Sequence, residues 1–200
     1  MNINQESYDK ICEQWHDYRR KSKINTCIVD FAKRIKPGGK ILDIGCGTGY
    51  PIGQYFSDHG FSVTGIDVSE KMLEKAVSLH LPNARFILKG LLEFVPTEQY
   101  DGVVAFDSLW YIAKNRQAEI YGLVASWMKK GAYFLFTHGK TDGEISGEMY
   151  GQPFHYSALH VDAVHALLLK NGFRIESSVE NYREETTGDR DLLIVAEKIK

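Results

Sequence analysis

The 200-residue chain is poor in cysteine and proline and has no long apolar run. Its three cysteines, Cys12, Cys27 and Cys46, form no Cys-x-x-Cys pair and cannot all pair with one another. That excludes a disulfide framework and a cysteine zinc site as expectations, and a reduced, cytoplasmic setting fits best. Five prolines leave no proline-rich linker. No stretch approaches the roughly 20 apolar residues that span a bilayer, and the start MNINQESYDK has neither a basic end nor an apolar core, so neither export nor membrane insertion is expected. A surplus of one charge is also missing. With 24 Lys plus Arg against 26 Asp plus Glu, the net charge of -2 gives no electrostatic reason to expect nucleic acid or an anionic membrane as partner.

What is present is a folded composition, 44% hydrophobic and 25% charged, over a length suited to one domain spanning 1–200. Residues 5–20 and 23–36 carry apolar residues at helical spacing and end at Pro37-Gly38-Gly39, which makes 1–36 a helical cap before the first strand. Strands are expected at 40–45, 61–67, 84–88, 100–107 and 131–137, with helices between them, Ser69 capping one and another covering 115–130. A polar, Gly-rich stretch then precedes a helix from Ser157 to Asn171. Two last strands follow, within 173–182 and 191–199, separated only by EETTGD. Helical crossovers imply a doubly wound, mostly parallel sheet with helices on both faces, and the short last connection implies an antiparallel C-terminal edge hairpin. Ligands in such α/β sheets bind beyond the carboxyl ends of the strands.

The strongest chemical signal stands at the first such end, Asp43-Ile44-Gly45-Cys46-Gly47-Thr48-Gly49. Three glycines in five residues let the backbone approach a ligand closely. The third glycine comes one residue earlier than in the dinucleotide fingerprint, and no phosphate-loop lysine follows, so a nicotinamide oxidoreductase on a similar sheet is disfavoured. Asp67 ends the second strand 22 residues beyond Gly45, where a carboxylate can accept both hydroxyl protons of a ribose.

Through ILDIGCGTGY, VTGIDVSEKMLEKA, YDGVVAFDSLWYI and MKKGAYFLFT, in that order, the chain resembles the class I S-adenosylmethionine-dependent methyltransferases of small-molecule type over roughly residues 8–200. The resemblance implies a Rossmann-like seven-stranded sheet with one antiparallel strand and S-adenosyl-L-methionine as cofactor. It lays Gly45, Cys46 and Gly47 against the methionine part, counts Gly49 among the cofactor-binding residues, and turns Asp43 to the amino group, Asp67 to the ribose and Val68 to the adenine. Lys89-Gly90 stand where the family carries Gly-Asp, so the usual acidic partner of adenine is missing. Backbone groups of Leu91 or Leu92 then serve instead, unless Glu93 swings in.

The methyl donor is a sulfonium cation, and the segment Phe106-Asp107-Ser108-Leu109-Trp110-Tyr111 offers aromatic faces and one carboxylate to it. Phe106 is read as a cofactor contact, Asp107 as a catalytic residue and Trp110 as an acceptor contact. Tyr8, Trp15 and Arg19 of the N-terminal helix close over the cofactor in this reading. Residues 138–157 are read as the acceptor-site lid, with Tyr150 and His155 touching the acceptor and His138 as general base directly after the fifth strand. The activity implied is in-line transfer of a methyl group to a small-molecule acceptor, with no metal. A protein that holds the cofactor without turnover is the non-enzymatic alternative. Neither acceptor identity nor oligomeric state is legible.

Overall fold

The structure is a computed structural model and describes residues 3–184 and 188–200. The chain opens with α1 (Ile3–Arg19) and α2 (Thr26–Ala32). An alternating series follows: β1 (Lys40–Ile44), α3 (Ile52–Asp58), β2 (Ser62–Asp67), α4 (Glu70–Ser78), β3 (Ala84–Leu88) and β4 (Tyr100–Ala105). After α5 (Gln117–Trp127) come β5 (Met128–His138), β6 (Gly143–Met149), β7 (Gln152–Ala158), α6 (Val161–Lys170), β8 (Phe173–Glu184) and β9 (Gly188–Lys198).

Seven strands form one sheet in the order β3-β2-β1-β4-β5-β9-β8. The first five are mutually parallel, and β9 runs antiparallel to both of its neighbours, which leaves β8 parallel to the rest. The strand order reverses between β1 and β4, the switch point at which such sheets open a crevice. Strand alternation divides the apolar residues between two layers. Leu42, Ile44, Val103, Phe134 and Phe136 pack with α5 and α6, whereas Ile41, Val104 and Leu135 pack with α2 and α3. That two-sided burial is why these strands read as near-continuous apolar runs.

Two features differ from the expected element order. Within residues 138–157, where no strand was expected, β6 and β7 pair as a separate antiparallel hairpin, turning at Tyr150-Gly151 with φ of +51° and +73°. Positive φ at both central residues is the two-residue hairpin turn that matches strand twist. The run of exposed residues along the middle of β6, with no alternation, hid this strand from a periodicity reading. Second, Ser157 belongs to β7, opposite Glu144, so α6 starts four residues later than expected. The connection of β8 to β9 lies partly outside the described residues.

The hairpin is held by α1. Asn4 sits with 4% exposure and treats β7 as a strand would, its amide nitrogen donating to His155 O at 2.8 Å and its oxygen accepting from His155 N at 2.7 Å. Ser7 Oγ adds a bond to Pro153 O at 2.5 Å. Below them Ile11, Cys12, Met72 and Phe154 form a small third core flanked by Tyr8, Trp15 and Tyr111.

Candidate active site

The carboxyl ends of β1 and β2 frame the glycine turn. Asp43 pairs in register with Gly65, so Asp67 reaches two residues further along the same edge. Its carboxylate ties the turn to α4, accepting from Gly47 N and Ser69 N, both at 2.9 Å. Ser69 then caps α4, its Oγ accepting from Met72 N at 3.1 Å and donating to Asp9 of α1 at 2.6 Å. The three glycines answer three different needs. A side chain at Gly45 would overlap Ser108, and one at Gly49 would press on Leu79 and Phe86, whereas at Gly47 it would meet only the Trp15 indole at 3.9 Å. Gly47 is the one whose backbone lies open to a ligand.

Burial governs the electrostatics. Asp43 is almost fully buried, and desolvation, then the nearby Asp67 charge, push its carboxyl up to about 7, against the pull of the Arg19 guanidinium. Burial also raises Asp67, opposed by the N–H groups of Ser69 and Gly47. Arg19 lies buried with its guanidinium 5.7 Å from the Trp15 ring centre and Nε donating to Tyr50 O at 3.4 Å. Desolvation works against its charge and Asp107 supports it. The hydroxyls of Tyr8 and Tyr111 lie 2.7 Å apart, and burial pushes both above the ordinary phenol range. Cys46 is a buried thiol held well up by desolvation, unsuited to act as a nucleophile.

These groups line one cavity of about 490 Å³. Of the residues singled out from sequence, Tyr8, Trp15, Arg19, Asp43, Gly45, Cys46, Gly47, Asp67, Val68, Leu91, Leu92, Phe106 and Asp107 are on its wall, and Gly49 lies behind the turn. Four others are elsewhere. His138 is the last residue of β5 rather than the first beyond it, fully buried, with Nδ1 donating to Gly139 O at 2.7 Å and its ring edge-on to Phe136. Strand alternation turns it to the α5 side, and desolvation lowers its basicity. Trp110 packs its ring behind Tyr111. Tyr150 is exposed at the hairpin turn, and His155 points its imidazole along the hairpin toward Glu144, 3.5 Å away. None of these four lines the cavity, nor does any other residue of 138–157, so the hairpin braces α1 from outside.

Asp107 is on the wall, but not as a free base. Arg190 grips both its oxygens, and Thr137 Oγ1 accepts from its N–H at 2.7 Å and donates to Oδ1 at 3.1 Å. The sequence reading missed Asn4, Gln5, Tyr50, Ser108, Tyr111 and Arg116 on the cavity wall, and Arg190 behind it. Tyr111 had a signal, since it follows the fourth strand within the segment already singled out. Arg190 had none, being 83 residues from its partner. Glu93 does swing in: its carboxylate occupies the space a side chain at Gly90 would fill, beside Val68.

The family described as "Methyltransferase domain" matches residues 41–131, from β1 to the turn inside β5. Among curated proteins the chain is similar to sterol methyltransferase-like 2 of Botryococcus braunii, 26% identical over 78% of this chain and 39% of that protein. It is also 38% identical to the putative methyltransferase YqeM of Bacillus subtilis, over 49% of this chain and 41% of the relative. The chain thus spans about two fifths of the length of the curated relatives it matches. A putative S-adenosylmethionine-dependent methyltransferase from Listeria monocytogenes superposes with a TM-score of 0.72 at 23% identity, covering 86% of this chain and 97% of its own. A Burkholderia thailandensis 1,6-didemethyltoxoflavin-N1-methyltransferase shares the fold equally, with a TM-score of 0.72, 17% identity, and 99% and 88% covered. Over residues 41–131 the chain thus matches a methyltransferase-domain family, and its sheet order is the fold of the S-adenosylmethionine-dependent methyltransferases it superposes on.

Proposed function

We propose that this chain transfers a methyl group from S-adenosyl-L-methionine to a small-molecule acceptor within the cavity under α1. The observation that carries the reading is that Asp43 and Asp67 stand near the ends of two adjacent strands and line one cavity with a turn whose middle glycine is open. The residues fit the cofactor part by part. Asp67, fixed by two backbone donors, turns its remaining acceptor capacity to the ribose hydroxyls. The Asp43 side chain accepts no hydrogen bond among the described residues, and it faces the cofactor's ammonium group. Arg19 matches the carboxylate, and Val68, Leu91 and Glu93 enclose the adenine, Glu93 supplying the acidic partner that Lys89-Gly90 lack.

Bound, the cofactor supplies an electrophilic methyl group on a sulfonium sulfur. The chain's own contribution is placement and exclusion of water: α1 covers the cavity with Tyr8, Trp15 and Arg19, and Phe106 and Tyr111 close its far side. His138 takes no part in this account. A single domain over 1–200 with 1–36 as cap stays part of the proposal, with the hairpin as support for the cap.

The test is incubation of the purified chain with methyl-labelled S-adenosylmethionine and fractionated small metabolites. Label appearing in an acceptor supports the reading. Tight cofactor binding with no labelled product across the fractions favours the non-catalytic binding protein, and no binding defeats both.

A further inference from the structure

We propose that Arg190, at the start of the last strand, is a positioning residue for the cofactor cavity, holding the Asp107 carboxylate as a fixed anion in its wall. The inference rests on the proposed cofactor reading. Because β9 alone runs antiparallel in the sheet, it brings its beginning, not its end, to the edge where the other strands end, with Leu192 opposite His138. Arg190 therefore stands just beyond β5, beside the crevice. Its Nε and Nη2 donate to the two Asp107 oxygens, and both side chains are largely buried, at 13% and 17% exposure. The guanidinium also lies 5.8 Å from the Phe106 ring centre. A planar fork on a carboxylate fixes direction as well as charge, which a lysine would do less well.

Asp107 needs that grip. Its φ of +58° is a left-handed conformation, uncommon for a residue with a Cβ. The conformation sends its neighbours to opposite sides: Phe106 into the layer of α2 and α3, and Ser108 onto Gly45, where Ser108 Oγ donates to Ile44 O at 2.7 Å. The position of Asp107 is thus coupled to the glycine turn itself.

Among the described residues, the charged and titratable groups acting on Asp107 are Arg190 from β9, Arg19 and Tyr8 from α1, and Tyr111 from the segment after β4. Among the described residues, the other cation acting on this carboxylate is Arg19 of α1, which also lines the cavity. Capture of Arg19 by Asp107 takes from the cofactor the group matched to its carboxylate. Arg190 keeps Arg19 free for the ligand by satisfying Asp107 first.

The experiment is calorimetric titration of the full chain with S-adenosylhomocysteine, for wild type, Arg190→Gln, Arg190→Lys and the double variant Asp107→Asn/Arg190→Gln, with melting temperatures of the unliganded proteins alongside. Arg190→Gln is expected to bind about tenfold more weakly, the lysine variant to recover only part of that loss and stay measurably weaker than wild type, and the double variant to bind more tightly than Arg190→Gln because no stranded carboxylate remains. Affinity in Arg190→Gln equal to wild type, with only a lower melting temperature, overturns the proposal and leaves Arg190 a structural brace. If Arg190→Gln does not fold, the lysine variant decides: a weaker but measurable affinity supports the role, and an unchanged one overturns it. A wild-type chain that does not bind S-adenosylhomocysteine defeats the cofactor reading instead, so the two failures are told apart.

Discussion

Ser108 fills the space that a side chain at Gly45 would need. The loop after β4 thus rests directly on the turn after β1, and the glycine is required by the protein's own packing as well as by any ligand. At φ of +74° the position also disfavours every residue with a Cβ. We predict that Gly45→Ala lowers unfolding free energy by about 2–4 kcal/mol, summing overpacking and left-handed strain. Urea denaturation of the unliganded chain measures this. A loss under about 0.5 kcal/mol would show that the loop moves aside freely.

Asp67→Ala removes the charged acceptor proposed for the ribose and also releases Gly47 N and Ser69 N. Affinity for S-adenosylhomocysteine should fall by at least about tenfold, the scale of hydrogen bonds to a charged group. Calorimetry reads the effect, and unchanged affinity would remove Asp67 from the site.

Asp43 makes binding proton-linked. Its carboxyl is pushed up to about 7 in the unliganded protein, and a bound ammonium group favours the ionised form. Below pH 7, binding should release a proton, and affinity should rise with pH up to about 7 and then level off. Titrations in buffers of different ionisation enthalpy detect the proton, and Asp43→Asn should release none. The same shift has the opposite sense for folding: between about pH 4 and 7 the folded state holds a proton that the unfolded state has lost, so Asp43 costs stability as pH rises through that window.

His138 runs the other way. Burial lowers its basicity, so below about pH 6.5 the unfolded chain binds a proton that the folded chain does not, and stability falls on acidification. His138→Gln should flatten that acid limb while turnover, once an acceptor is known, stays within about threefold of wild type. A loss near the 10²-fold scale of general-base catalysis would restore the catalytic role expected from sequence.

How much was legible in the sequence follows from what kind of signal each part left. The sheet and its β8–β9 hairpin were readable because two-sided burial writes apolar runs such as ILDI and LLIVA, and short connections fix neighbours. That Asp43, Gly47 and Asp67 come together on one cavity wall was readable because their spacing is local to one β-α-β unit. The β6–β7 hairpin was not, because its exposed strand carries no alternation and its partner is an asparagine of α1 about 150 residues away. Arg190 and His138 fail for related reasons. One acts across a long sequence gap, and the other is set one residue inside its strand, which reverses the side it faces.

Asn4 offers a direct check on how α1 is held. Asn4→Ala deletes both bonds to His155 and leaves buried backbone groups of β7 without partners, a cost of about 1–3 kcal/mol. Hydrogen exchange in α1 should quicken in that variant while the amides of β1 and β4 keep their protection. Uniform quickening across the sheet would show that α1 unfolds only with the whole domain.

The central claim, that the glycine turn and its two aspartates form a methyl-donor site, is tested most directly by a crystal structure of the chain with S-adenosylhomocysteine. Both ribose hydroxyls are expected on Asp67, the ammonium group beside Asp43, the carboxylate toward Arg19 and the adenine between Val68 and Leu91 with its amino group at Glu93. Ligand density anywhere other than this cavity, or a ribose turned away from Asp67, would contradict it.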